Sequence, residues 1–225
     1  MGNVGCKIVS NFERPDKKLV ELFRGLPVAN IDDCMNRTAA VDPMIKPLNK
    51  TPLLGTAFTV KVPEGDNLMF HKAMDMAQPG DVIVIDANGD INRSIFGELM
   101  ISYCKKRGIA GVIVDGSVRD ADALAEMDIA IYAKGITPNG PYKNGPGEIN
   151  TTISFGGEIV HPGDIIVGDG DGIVIIRPED AEELAEKTRQ VGIKESAIMK
   201  EIIEAGTYER PWVDEVLATL KCEFK

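Results

Sequence analysis

The chain has 225 residues, 44% of them hydrophobic, which is enough to bury a full core in one domain, 1–225, carrying a helical tail over 178–225. Its 35 acidic side chains outnumber 25 Lys and Arg, and a formal net charge of −10 repels phosphate backbones and anionic lipid headgroups. Nucleic acid is therefore not expected as a partner. The apolar runs at 82–87 and 109–114 are far too short for a membrane span, and no charged segment followed by an apolar stretch and a cleavage site marks a secretory signal. The start, MGNVGC, has Cys6 where a myristoylation signal needs Ser or Thr. A cytoplasmic protein with no membrane association is the expectation.

In chain order, 14–25 reads as a short amphipathic helix with Leu19, Val20, Leu22 and Phe23 on its apolar side, stopped by Gly25. A second short helix begins near Asn30, after Pro27. Residues 53–62 have a strand pattern and 67–77 return to helical spacing. The turn Gln78-Pro79-Gly80-Asp81 introduces a strand over 82–86, and His161-Pro162-Gly163-Asp164 repeats the device before a strand over 165–168. Pro followed by Gly at the centre of a turn predicts type II geometry, where glycine supplies the positive φ. Then come a helix over 94–107, a buried strand over 110–115, an exit loop over 116–120, a short helix over 122–127 and a strand over 129–133. This alternation predicts parallel β-α-β pairing, with loops at the carboxyl ends of the strands where ligands bind.

Residues 135–148 are rich in Pro, Gly and Asn, long enough for a lid, and Lys143, Asn144 and Glu148 in it either read the distal part of a substrate or simply belong to turns. Two or three strands follow over 149–176. The run Gly168-Asp169-Gly170-Asp171-Gly172 lacks the third alternating acid and distal Glu of a calcium loop and predicts a tight hairpin. Pro178 opens a charged helix, a second covers 194–204 and a last one 212–220. These helices are only partly amphipathic, which suits packing at a subunit boundary.

Cys6, Cys34, Cys104 and Cys222 lie far apart with no CxxC pair, and read as reduced thiols. The two histidines, His71 and His161, leave a Ser-His or Cys-His nucleophile little to work with. His71 reads as a hydrogen-bonded packing residue. Any metal site must then be built from oxygen ligands, which favours Mg²⁺ or Mn²⁺.

The chemistry concentrates in Gly111-Val-Ile-Val-Asp115-Gly116-Ser117-Val118-Arg119-Asp120, an apolar strand whose exit loop presents a cation beside a carboxylate. Spacing alone fits a structural ion pair capping the next helix as well as a functional pair. Asp115 reads as fixing its own loop. Gly97-Glu98-Leu99-Met100 opens the preceding helix, whose free N–H groups and dipole can hold a carboxylate. With 20 residues between Glu98 and Arg119, one helix and one strand bring both loops to the same end of a sheet.

Glycine-acid-leucine followed by Asp-Gly-x-x-Arg-Asp resembles the RraA-like family, over roughly 31–206. That family includes the class II 4-hydroxy-4-methyl-2-oxoglutarate (HMG) aldolases with their oxaloacetate decarboxylase activity, and its founding member is a ribonuclease regulator. The resemblance implies an α/β fold of the swivelling β/β/α sandwich type with C-terminal helices, assembled as a homotrimer or homohexamer. It implies Asp120 as ligand to Mg²⁺ or Mn²⁺, Arg119 as the group that contacts substrate and stabilises a pyruvate enolate, and Gly97, Glu98, Leu99 and Met100 as the cradle for the carboxylate of a small 2-oxo acid. Glu195 is the candidate for an acid reaching the metal through water from a neighbouring subunit. The chain departs from the aldolase pattern at Glu98, where the family has Asp; Glu98 is either a catalytic acid reaching a metal-bound water, with the proton relay shifted by its extra methylene, or simply a favourable charge in the first turn of a helix. The rival reading is a non-catalytic regulator that binds a ribonuclease through an acidic surface.

Overall fold

The computed structural model describes residues 4–224. Four runs rich in Val, Ile and Ala form the parallel centre of a sheet: β3 (Leu53–Lys61), β4 (Asp81–Ser94), β5 (Gly111–Val118) and β6 (Ala130–Ile136). Their residues are apolar on both faces because both faces are covered. Phe58, Ile83, Val112 and Ile131 are aligned across the four strands and point to one face, where α3 (Leu68–Met76), α4 (Glu98–Lys106) and α5 (Ala121–Ala125) supply Phe70, Ile101 and Leu124. Their neighbours Ala57, Val82, Ile113 and Tyr132 pack on the other face against Ile153, Phe155 and Val160 of the hairpin β8 (Ile153–Phe155) and β9 (Glu158–Val160). Helices on one face and strands on the other give the expected β/β/α sandwich.

The free edge of β3 is divided. Leu53 to Thr56 pair antiparallel with β10 (Ile165–Gly168), and Val60 and Lys61 with β7 (Gly147–Ile149). Beyond them lie β11 (Ile173–Ile176), paired with β10, and β1 (Cys6–Ile8), paired with β7; β2 (Lys46–Pro47) closes the other edge beside β6. A further cluster joins β10 and β11 to α1 (Lys17–Glu21), α2 (Val28–Cys34) and the first turns of α6 (Ala181–Ala205) through Phe23, Ile31, Ile165, Val174 and Leu184.

Both Pro-Gly turns have the predicted geometry. Gly80 has φ +91° and Gly163 φ +98°, and Asp81 and Asp164 close the turns by donating their N–H to the carbonyls of Gln78 and His161 at 3.0 and 3.1 Å. The likeness continues into the side chains. Each Asp accepts the backbone N–H of its turn's first residue, and each binds an arginine: Arg14 reaches Asp81 at 2.9 and 2.8 Å, and Arg177 reaches Asp164 at 3.0 and 3.2 Å. Burial and the nearby Glu179 carboxylate push the Asp164 carboxyl up to about 7. The Gly168–Gly172 run is a hairpin turn, as predicted, with Asp169 N–H donating to the Gly172 carbonyl at 3.0 Å.

Several expected boundaries change. The first helix holds only at 17–21. The strand expected over 82–86 runs to Ser94: its register with β5 shifts between Asp86 and Asp90 and again before Ser94, where Asn88 and Gly89 take left-handed φ and throw a loop outward. That excursion delays the following helix to Glu98. The two helices expected over 179–204 form one, α6, with Gly192 inside it; a single interior glycine costs only about 1 kcal/mol.

The chain divides into two compact units, 1–188 and 189–225, the boundary falling inside α6. The second unit holds the rest of α6 and α7 (Pro211–Thr219), and none of its described residues is buried. Ile193, Ile203, Trp212 and Leu220 are among its exposed apolar side chains. No helix among the described residues is long and apolar enough to cross a membrane.

Candidate active site

At the carboxyl end of the parallel strands, the exit of β5 meets the segment that leads into α4. Ile95 N–H donates to the Ser117 carbonyl at 2.8 Å and Arg119 N–H to the Phe96 carbonyl at 3.0 Å, so two strands of loop are laced side by side. Asp120 follows in the left-handed conformation, φ 59° and ψ 40°, as the residue that opens α5. That conformation is unfavourable for most side chains and tolerated by Asp. Its carboxylate turns away from α5, to whose N–H groups it makes no capping bond, and Oδ2 accepts the N–H of Glu98 at 3.0 Å instead. The expected alternative, an Asp capping its own helix, is not what the chain builds.

Gly97 makes this possible. A Cβ at position 97 would collide with Asp120 Oδ2 and lie 3.0 Å from Arg119 Cγ, so the carboxylate occupies the volume that a side chain would fill. The N–H groups of Leu99 and Met100, in the first turn of α4, have no acceptor among the described residues. They point a helix N-terminus at the same place.

Arg119, Asp120, Gly97, Leu99 and Met100 line one cavity of about 320 Å³. The Arg119 and Asp120 side chains are 47% and 42% exposed, and Arg119 Nε stands 3.8 Å from Asp120 Oδ2, too far for a hydrogen bond. Neither group is saturated. Glu98 contributes its N–H to Asp120, while its carboxylate is exposed and is not part of the cavity lining. Glu195 lies on α6 in the second unit, exposed. Asp115 does not hold its own exit loop; it ties β5 to other elements, Oδ1 accepting from Lys134 Nζ of β6 at 3.1 Å and Oδ2 from Gly156 N–H in the β8–β9 turn at 3.4 Å.

The cavity also contains groups that the sequence did not single out as site residues. Asn67 and His71, one turn apart at the start of α3, form a wall of it. Asn67 Nδ2 donates to the Ile95 carbonyl at 2.8 Å, tying α3 to the segment before α4. His71 is not the hydrogen-bonded packing residue expected, since its Nε2 is buried without a partner. Burial, assisted by the charge of Lys143, holds its pKa below the ordinary histidine value, so the ring is neutral near pH 7. The available signal was the i, i+4 spacing of Asn67 and His71, diluted by Lys72 and Asp75 on the same helix. A larger surface cavity of about 590 Å³ is lined by Met44, Lys46, Asp122, Lys134 and Ile136; of its charges, Lys134 is already held by Asp42 and Asp115 at 3.1 Å each.

The RraA-like family model, described as Aldolase/RraA, matches residues 28–175. A protein of Halalkalibacterium halodurans, provisionally named 4-hydroxy-4-methyl-2-oxoglutarate aldolase, is 38% identical over 196 residues, 87% of this chain and 93% of its own. Among solved structures, an uncharacterised protein from Pseudomonas syringae superposes with a TM-score of 0.76 at 23% identity, over 87% of this chain and 96% of its own. A Streptomyces coelicolor member of the RNase ES inhibitor RraA family superposes with a TM-score of 0.73 at 25% identity, over 83% and 100%.

Proposed function

The chain belongs to the RraA-like family, and from that premise we propose that it is a carbon–carbon lyase that releases pyruvate from a 4-hydroxy-2-oxo acid such as 4-hydroxy-4-methyl-2-oxoglutarate, and from oxaloacetate. The observation that carries this reading is the unsaturated Arg119–Asp120 pair facing the free Leu99 and Met100 amides in one cavity. Those two N–H groups receive the substrate carboxylate. Arg119 donates to the keto oxygen, where negative charge collects as the C3–C4 bond breaks and its electron pair moves into the C2–C3 bond. In the retro-aldol reaction the C4 hydroxyl loses its proton and becomes a carbonyl; in decarboxylation carbon dioxide leaves. C3 then takes a proton to give pyruvate. Glu98, exposed at the rim, is the proposed proton relay.

Asp120 is the group that would hold Mg²⁺ or Mn²⁺. Its carboxylate is open to the cavity, and no cluster of three His, Cys, Asp or Glu occurs among the described residues, so the donor set suits a hard ion that takes one carboxylate and fills the rest of its shell with water and substrate. Bound there, the ion supplies Lewis acidity at the keto oxygen. The exposed apolar side chains of the second unit support a homotrimer or homohexamer, in which Glu195 of a neighbouring subunit would face the ion through water.

The test is pyruvate release from oxaloacetate and from 4-hydroxy-4-methyl-2-oxoglutarate with Mg²⁺ or Mn²⁺ present, abolished by a chelator, together with calorimetry of Mn²⁺ binding. Asp120→Asn should remove both activity and Mn²⁺ binding. A protein that makes no pyruvate from either acid sinks the lyase reading and favours a ribonuclease regulator, the activity named for the Streptomyces structure.

A further inference from the structure

One cation of the cavity, Lys143, has no role in the chemistry above. It is exposed, and it makes no hydrogen bond or ion pair among the described residues. The segment that carries it is nonetheless fixed at many points. Ser94 donates through N–H and Oγ to the Asn139 carbonyl at 2.9 and 2.7 Å, and Arg93 donates to the Gly140 carbonyl and the Tyr142 hydroxyl while stacking on the Tyr142 ring at 4.1 Å. Tyr142 exchanges backbone hydrogen bonds with Gly65 and Asn67 at 2.8 and 3.0 Å.

Asp66 is the centre of this fastening. It is 3% exposed; Oδ1 accepts the N–H of Leu68 at 2.9 Å, and Oδ2 accepts those of Asn144 and Gly145 at 2.6 and 3.0 Å. A single buried carboxylate therefore locks the start of α3, which bears Asn67 and His71, to the two residues that follow Lys143. A segment so firmly held is not a lid, and the lysine it holds is left without a partner.

The sign of the cavity completes the argument. In a protein of net charge −10, the lining offers two permanent cations, Arg119 and Lys143, against one carboxylate, Asp120. With Asp120 given to the metal, and the 2-oxo acid end to Arg119 and the α4 amides, Lys143 has no counter-ion in the lining. Its field already reaches the cavity wall, since it helps hold His71 neutral. The segment lies close to Arg119: a Cβ at Gly140 would stand 3.5 Å from a guanidinium nitrogen, an ordinary van der Waals distance.

Resting on the reading of this cavity as a 2-oxo acid site, we infer that Lys143 is a specificity-determining residue that binds a second anionic group of the substrate, distal to its 2-oxo acid end, and that buried Asp66 is the positioning residue that fixes it there. That contact is what would favour the dicarboxylates of the proposed reaction over a monoacid.

Calorimetry with 2-oxoglutarate and 2-oxopentanoate, which differ at the terminal carboxylate, tests this on the protein with Mn²⁺ present. The wild type should bind the diacid about 10-fold more tightly, the scale of one charge-assisted hydrogen bond, and Lys143→Met should bring the ratio close to one. Asp66→Asn should also lower the ratio, whereas a variant that merely weakens the fold lowers both affinities together. A ratio unchanged in Lys143→Met overturns the role of Lys143, and one unchanged in Asp66→Asn overturns that of Asp66. Equal wild-type affinities overturn the distal subsite and leave the 2-oxo acid reading standing; failure to bind either acid overturns both.

Discussion

Two Arg–Asp pairs sit at opposite ends of the same parallel strands and are built in opposite ways. Before β4, Arg14 grips Asp81 with two hydrogen bonds of 2.9 and 2.8 Å, and the Asp side chain, 2% exposed, also accepts the Gln78 N–H. After β5, Arg119 and Asp120 are neighbours in sequence but stand 3.8 Å apart, both nearly half exposed. The first pair has spent its bonding capacity inside the protein, while the second has kept it. Saturation, rather than the presence of opposite charges, separates a structural pair from one available to a ligand.

The largest effect should come from breaking the closed pair. Arg14→Ala leaves Asp81 buried without its cation and should destabilise the fold by about 3–5 kcal/mol in chemical denaturation; a loss below about 1 kcal/mol would show that the pair is not structural. Arg119→Ala should do the reverse, lowering kcat about 100-fold or more while moving stability by no more than about 0.5 kcal/mol. Equal damage to stability from both variants would erase the contrast.

The smallest effect is electrostatic and confined to the cavity. With only two histidines in the chain, His71 can be followed by NMR, and it should titrate below the ordinary histidine value of about 6.5. Lys143→Met should move it upward, because Lys143 is one of the charges that depress it; Asp75 acts in the opposite sense and stays. Linkage gives the sign. A histidine with a depressed folded pKa contributes stability that is complete above about 6.5 and is lost as pH falls through the folded value. The melting temperature should therefore drop on acidification through that window, less steeply in Lys143→Met.

How much of this was legible beforehand follows from which forces act locally. The β5 strand and its Arg119-Asp120 exit were readable because an unbroken apolar run ending in charge has one economical placement. The two Pro-Gly-Asp turns were readable because glycine alone suits their φ. The long course of β4 was not, since the polar stretch Asn88 to Arg93 looks like an ordinary loop until Asp90 and Ser94 find partners on β5. Asn67 and His71 were hidden for a related reason: what brings α3 to the site is packing of Phe70 and Met74 on the far side of the helix. Local pattern assigned His71 to the interior, and only the tertiary arrangement reveals an imidazole nitrogen that nothing satisfies.

The absence of a side chain at position 97 has a consequence for telling related chains apart. Because the Asp120 carboxylate resides where a methyl group would otherwise sit, the sandwich can accept a bulkier residue there only by evicting the acid. Within this architecture that one locus acts as a diagnostic marker: a related chain carrying a side chain there would have to place its acid somewhere else.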